Sequence, residues 1–288
     1  MLSNLRIVSK IVLLALVVAF GGSMLLAIGC SKNYFEGFAT QTDDESLFYT
    51  AREYLRTADY PNAILSCTGL SANYLKEDNV AIVCASAYAG RCGYKMDWFL
   101  PTNHVLATPI FTYMFQQLSG TTAGMATDCD TAESILRKIG GATARSDDAN
   151  MFMALLSIYK IGVIVNNLAD AAPDDGTLDG AFDACAMSVA NQNLIGSALW
   201  ELNSSVNQLT STFFTAIKAG LAANCTALGL LGTPENFCLA TDPTALTVNQ
   251  LKGAMSTIKE GSLFGVNQGG AGGCNGGTVS AGVQCNCL

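Results

Sequence analysis

The chain has 288 residues, half of them hydrophobic, with 15 basic and 23 acidic side chains and a formal charge of −8. An acidic chain with no basic run argues against nucleic-acid binding, which needs Lys and Arg to displace counterions from phosphates. Beyond the first 30 residues there is enough chain for one large domain or two small ones, and ample apolar side chain for a core.

The N-terminus differs in composition from the rest. Arg6 and Lys10 form a short basic head, and the 19 residues from Ile11 to Gly29 carry no charge. Small residues then lead into Cys30. A basic head, an apolar core and a small-residue exit describe an export signal, because a peptidase must fit an extended backbone into a narrow site. The exit reads Ala27-Ile28-Gly29-Cys30. It resembles the lipobox of bacterial lipoproteins, in which the Cys thiol receives diacylglycerol before cleavage. One position departs from that pattern: Ala27 stands where Leu is preferred, with Leu26 one step earlier. The resemblance implies a signal peptide over 1–29, acylation of Cys30 with chains such as palmitate, and a membrane anchor. Ser31 in the following position resembles sorting to the outer membrane, which implies a cell-envelope address on its periplasmic or surface face. Two other readings stay open: an uncleaved membrane helix, since 19 apolar residues just span a bilayer, and an ordinary cleaved signal with a soluble product. Loss of Arg6 and Lys10 with the signal would take the formal charge from −8 to −10.

Setting Cys30 aside leaves an even set of cysteines: Cys67, Cys84, Cys92, Cys129, Cys185, Cys225, Cys238, Cys274, Cys285 and Cys287. In an exported chain that parity predicts at least two disulfides, with the pairing open. Zinc is the rival use, but no Cys-x-x-Cys pair occurs.

Residues 30–44 read as a polar tether, and from Glu45 the apolar periodicity turns helical. Over 45–97 the sequence aligns with itself at a shift of 34 residues: Ala51 falls on Ala85, Tyr54 on Tyr88 and Tyr60 on Tyr94. A period of that length resembles the tetratricopeptide repeat (TPR), a stacked helix–turn–helix unit. The first unit carries Ala51, Tyr54, the turn Ala58-Asp59-Tyr60 and then Ala63. Ala51 and Ala63 let two helices approach, Tyr54 fills the groove between them, and Asp59 with Pro61 suits a helix stop and restart. The second unit keeps Ala85, Tyr88 and Tyr94, with Gly93 for the turn, but has Asp97 where a small residue belongs and Pro101 soon after. The resemblance covers one good unit and one degraded one.

Further along, 102–118 predicts a short amphipathic helix and 119–127 a Gly/Thr-rich loop. A helix over 130–139 ends at Gly140-Gly141, and a strongly apolar one over 147–169 starts from Ser146 or Asp147. A loop spans 170–183. The longest helical pattern runs over about 188–222, with Ile195, Leu199, Leu202, Val206, Leu209, Phe213, Ile217 and Leu221 in one apolar stripe. This stripe reads as a core helix, with a coiled-coil face as the alternative. A last helix covers 244–260, and a Gly/Cys-rich irregular tail covers 261–288. The expected fold is all-α, with a helical domain over 45–260 built on TPR-like antiparallel hairpins.

Little points to chemistry. His104 is the single histidine and has no G-x-S-x-G elbow to serve, so it reads as a surface or helix-cap residue. The Asp43-Asp44-Glu45 and Asp147-Asp148 runs complement helix dipoles. Asp174, Asp175, Asp179 and Asp183 form a candidate calcium loop, although their spacing departs from the usual pattern; no other cofactor is expected. The expectation is therefore a non-enzymatic envelope lipoprotein, anchored to the membrane, that serves a protein partner as a scaffold. The alternative is a helical binder of a solute or apolar ligand that accompanies a periplasmic transporter.

Overall fold

The computed structural model describes residues 43–95, 110, 114, 118–171, 174–179, 182–231, 233–260 and 287. Helices and turns make up this part, and no strand occurs among the described residues, so the fold is all-α. The expected signal peptide, Cys30, most of the tether, His104 and the tail apart from Cys287 lie outside them. The chain divides into two compact units, Met1–Ser46 and Leu47–Leu288. Of the first, only 43–46 are described; there the Ser46 amide donates to Asp43 Oδ1 at 2.7 Å.

Helix α1 spans Asp44–Arg56. It ends where Ala58 takes a left-handed φ of 57°, a conformation that costs an L-residue about 1–2 kcal/mol. Asp59 then caps α2, Tyr60–Thr68, accepting from the Asn62 amide, with Pro61 in the first turn where its missing N–H costs nothing. A 3-10 turn at Tyr74–Lys76 leads into α3, Asp78–Arg91.

The next helix corrects the sequence reading. α4 spans Ala123–Arg137 and begins inside the stretch read as a loop. The cause is local: the Thr122 hydroxyl accepts from the Met125 amide, a helix N-cap. Helix α5, Asp147–Ala169, runs as expected and is capped by Ser146, whose hydroxyl accepts from Ala149 N. Of the helix expected over 102–118, Ile110 and Met114 are helical and buried, and Met114 leaves no room for a Cβ at Gly162 of α5.

The long helix expected over 188–222 is two helices. α6 spans Val189–Gln208 and α7 spans Thr215–Leu231, separated by extended Leu209 and a 3-10 turn at Thr212–Phe214. The Ser211 hydroxyl accepts from Phe213 N, so a Ser/Thr-rich stretch satisfies its own backbone outside the helix. The break exchanges one position of the stripe, while Ile217 and Leu221 beyond it are buried as expected. Phe214 is buried at 2 % exposure, whereas the expected Phe213 is 38 % exposed. α8 spans Val248–Glu260 and starts from a reciprocal cap: Thr247 N donates to Gln250 Oε1, and Gln250 N to Thr247 Oγ1.

α2 packs on α3, α3 on α4, α4 on α5, α5 on α6, and α8 on α6. α5 is the axis of the core, with Met153, Ala154, Leu156, Ile161, Val163 and Val165 wholly excluded from solvent. Truncating one of its large side chains to Ala costs about 2–5 kcal/mol.

Disulfides reinforce this order. Cys67–Cys84 ties α2 to α3, with 5.6 Å between Cα atoms. Cys92–Cys129 ties the end of α3 to α4, Cys225–Cys238 ties α7 to the 3-10 turn Phe237–Leu239, and Cys185–Cys287 holds the C-terminus to the turn before α6. Four bridges fit an oxidising, extracytoplasmic compartment. Two described helices, Asp147–Ala169 and Thr212–Leu230, are long and apolar enough to cross a bilayer, but the first is the buried core helix.

Candidate functional site: an apolar groove between α3 and α5

The Gly90-Arg91-Cys92-Gly93-Tyr94 turn builds one wall of a groove. Gly93 adopts a φ of 91°, which reverses the chain so that Tyr94 N donates to Ala89 O at 2.9 Å. The Cys92–Cys129 bridge pins the turn to α4. The Tyr94 ring then stands edge-on to Phe152 at 5.7 Å and to Tyr159 at 5.6 Å. Burial pushes the Tyr94 hydroxyl well above its ordinary pKa, so it stays neutral. Across the groove Tyr60 lies on Gly90 so closely that any Cβ there would collide with its ring.

The resulting groove has a volume of about 530 Å³. α3 lines it with Ile82, Ser86 and Gly90, the hairpin with Leu55 and Tyr60, and α5 with Asp148, Met151, Phe152 and Leu155. Ser86 spends its hydroxyl on Ile82 O at 2.7 Å. Among the described residues Asp148 is the one charged side chain that lines the groove.

The residues singled out by the 34-residue self-alignment divide between two places. Ala51, Ala63 and Ala85 are fully buried. Tyr54 and Tyr88 pack around a small cluster of Ala63, Ile64 and Ala87. Tyr60 and Tyr94 instead line the groove.

A second polar centre lies in the core, and sequence reasoning missed it. Lys160, fully buried on α5, donates to Asp130 Oδ1 and Glu133 Oε2 at 2.7 Å each, and to Ser197 Oγ at 3.2 Å. Ser157 donates to the other Glu133 oxygen at 2.8 Å. Arg145 donates to Glu201 at 2.8 Å, and Arg137 lies 3.5 Å from Glu133 and 3.7 Å from Glu201. Three cations thus meet three carboxylates where α4, α5 and α6 pack. Burial pushes the Glu201 carboxyl above its ordinary pKa, against the pull of Arg145. The Lys160 ammonium has three acceptors on three donors, so it holds helices in register rather than offering a base or nucleophile. The sequence signal was Lys160 itself, the sole charge between Met151 and Ala169.

The acidic loop does not gather its carboxylates. Asp174 accepts from Gly120 N at 2.6 Å, Asp175 from Thr177 N, Asp179 from Ala171 N, and Asp183 from Cys185 N. Asp170, which the calcium reading did not include, organises the turn by accepting from the amides of Asp175 and Gly176. Among the described residues no group of three or more His, Cys, Asp or Glu side chains is placed to hold a metal.

Compared with known protein families, with curated proteins and with solved structures, the chain matches none.

Proposed function

We propose that this chain is a lipid-anchored envelope protein that works without catalysis, as a scaffold that docks a partner protein through its TPR-like hairpins. Cys30 supplies the anchor at the outer membrane, and the groove between α3 and α5 supplies the docking face. The observation that carries the reading is that groove: it is open, mostly apolar, and formed where the Tyr60 and Tyr94 repeat positions meet α5. Concave, mostly apolar clefts with a few polar groups at the rim are the places where proteins take up ligands and partner helices. Ala51, Ala63 and Ala85 at helix contacts, and the left-handed Ala58 where the repeat prefers Gly, support the TPR-like assignment. The disulfides support the extracytoplasmic side of the address.

The groove's volume also falls within the range of small-molecule sites, which favours the alternative, a solute or apolar-ligand binder beside a periplasmic transporter. The two part on one experiment. A photo-cross-linking residue in place of Ile82, activated in intact cells, gives a discrete protein adduct if the groove docks a partner. A ligand binder gives none, and instead yields a small apolar molecule on solvent extraction of the purified protein. The anchor has its own test. Cys30→Ser moves the protein out of the membrane fraction, and retention of the variant there would favour an uncleaved helix.

A further inference from the structure

The groove has a direction. On α3, Asp78, Ile82, Ser86 and Gly90 follow one another at intervals of four, so they form one row on the helix. The last three line the groove. Asp78 Oδ2 accepts from Ser146 N, the cap of α5, at 2.6 Å. The starts of α3 and α5 therefore lie side by side and bring Asp78 next to Asp147 and Asp148. Towards the other end stand Tyr60, against Gly90 at the end of α3, and Tyr94, with Phe152 one turn along α5 from Asp148. The groove thus runs from a carboxylate end to an aromatic end.

None of Asp78, Asp147 and Asp148 forms an ion pair among the described residues. The N-terminus of α5 carries only about half a positive charge against them. Among the described residues the lining holds no Lys or Arg, and the chain as a whole carries −8. An acidic segment entering here would meet repulsion at the mouth and no cation among the described lining residues.

We propose that the groove receives an amphipathic, basic helical segment of a partner protein, with apolar side chains entering between Ile82 and Phe152 and a Lys or Arg lying against Asp78 and Asp148. Helices bind apolar grooves through side chains spaced three and four residues apart. The carboxylate end sets the orientation of the segment, and the aromatic end supplies the apolar contact. The inference rests on the groove being a partner site, and it adds the chemistry and polarity of what enters.

The test uses the full chain and two synthetic helical peptides of about 15 residues, one Leu/Lys and one Leu/Glu, each with a photo-cross-linker. Adducts are mapped by mass spectrometry. The Leu/Lys peptide is expected to cross-link to the segments around Ile82 and Met151, with its cationic end towards Asp148, and the Leu/Glu peptide is not. Asp148→Asn lowers the yield about threefold, whereas Asp242→Asn, a distant surface carboxylate, leaves it unchanged. Ser86→Trp fills the groove and abolishes the adduct. Met151→Glu gives the same reading if melting shows that Ser86→Trp does not fold. Equal labelling by both peptides, blocked in both cases by Ser86→Trp, would overturn the charge assignment and leave a partner groove standing. Equal loss with Asp148→Asn and Asp242→Asn would overturn it as well. Labelling that Ser86→Trp and Met151→Glu both leave untouched would overturn the groove itself.

Discussion

The hairpin region α1–α3 and the central helices α4–α6 reach stability by different routes. The hairpin's most fully buried side chains are mostly small: Ala51, Ala63, Ala81, Ala85, Ala87 and Ala89 are at most 1 % exposed, beside Val80, with Phe48, Ile64, Leu70 and Leu75 buried around them. Alanine permits close approach but removes little apolar area from water, so cross-links carry more of the load there. Cys67–Cys84 lies within the hairpin and Cys92–Cys129 joins it to α4. The central helices bury large side chains around α5 and enclose the Lys160 cluster, and no described bridge joins α4, α5 and α6 to one another. Helices held covalently can present a groove without a thick core of their own, while the central helices supply the rigid wall facing it.

Changes confined to one region test this contrast. The largest effect is expected from Lys160→Met, which leaves the fully buried Glu133 without its ammonium partner, while Asp130 is 34 % exposed. Removing one partner of a buried ion pair costs about 3–5 kcal/mol, read from urea unfolding by circular dichroism, with α4–α6 losing amide protection together. A loss below about 1 kcal/mol would mean that the cluster is not a structural element. Next comes the double variant Cys67→Ser/Cys84→Ser. These residues are 17 apart in sequence, and opening a loop of that size costs about 3 kcal/mol. Hydrogen exchange should accelerate in α2 and α3 and stay slow in α5; uniform acceleration would show that the two regions unfold as one.

Smaller effects follow. Gly90→Val pushes Tyr60 off its seat and should cost about 1–3 kcal/mol by overpacking, with groove labelling lost while the core retains its protection. Ala58→Gly relieves the left-handed turn and should raise stability by up to about 1 kcal/mol; a loss of stability would mean that the turn is not held in that conformation. Glu201 gives a pH dependence. Burial raises its carboxyl above the ordinary 4.5 in the fold, so the folded state binds its proton more tightly than the unfolded chain does. Its contribution to stability is therefore full below 4.5 and is lost as pH rises through the folded value. Between wild type and Glu201→Gln, the stability difference should shift towards the variant as pH rises above 4.5. A shift towards the wild type would reverse the assigned sign.

The parts of this contrast that could be read in the sequence were local ones. The bounds of α5 followed from an apolar run behind Ser146, the α1–α2 turn from Asp59 and Pro61, and the presence of bridges from an even cysteine count in an exported chain. The pairing of those cysteines was not legible, because it depends on which helices neighbour one another. The break between α6 and α7 was hidden by an apolar stripe that continues through it, and only Ser211 marked it. Lys160 is the sole charge between Met151 and Ala169, a signal that went unread, and Glu133 and Glu201 lie 27 and 41 positions away in the sequence, so nothing local joins them. Tyr60 and Tyr94 drew attention as positions that align at a shift of 34 residues. That Tyr94 meets Phe152 and that both tyrosines line a groove depends on the packing of α5, which no spacing within 45–97 encodes.

The claim that this groove is where the protein meets its partner is tested most directly by site-specific photo-cross-linking in intact cells. A cross-linking residue goes in place of Ile82 in the groove or of Leu230, which is 78 % exposed on α7. The account predicts a discrete adduct from position 82 that disappears when Gly90→Val is added, and no matching adduct from position 230. Identical adducts from both positions, or an adduct at 82 that survives Gly90→Val, would contradict it.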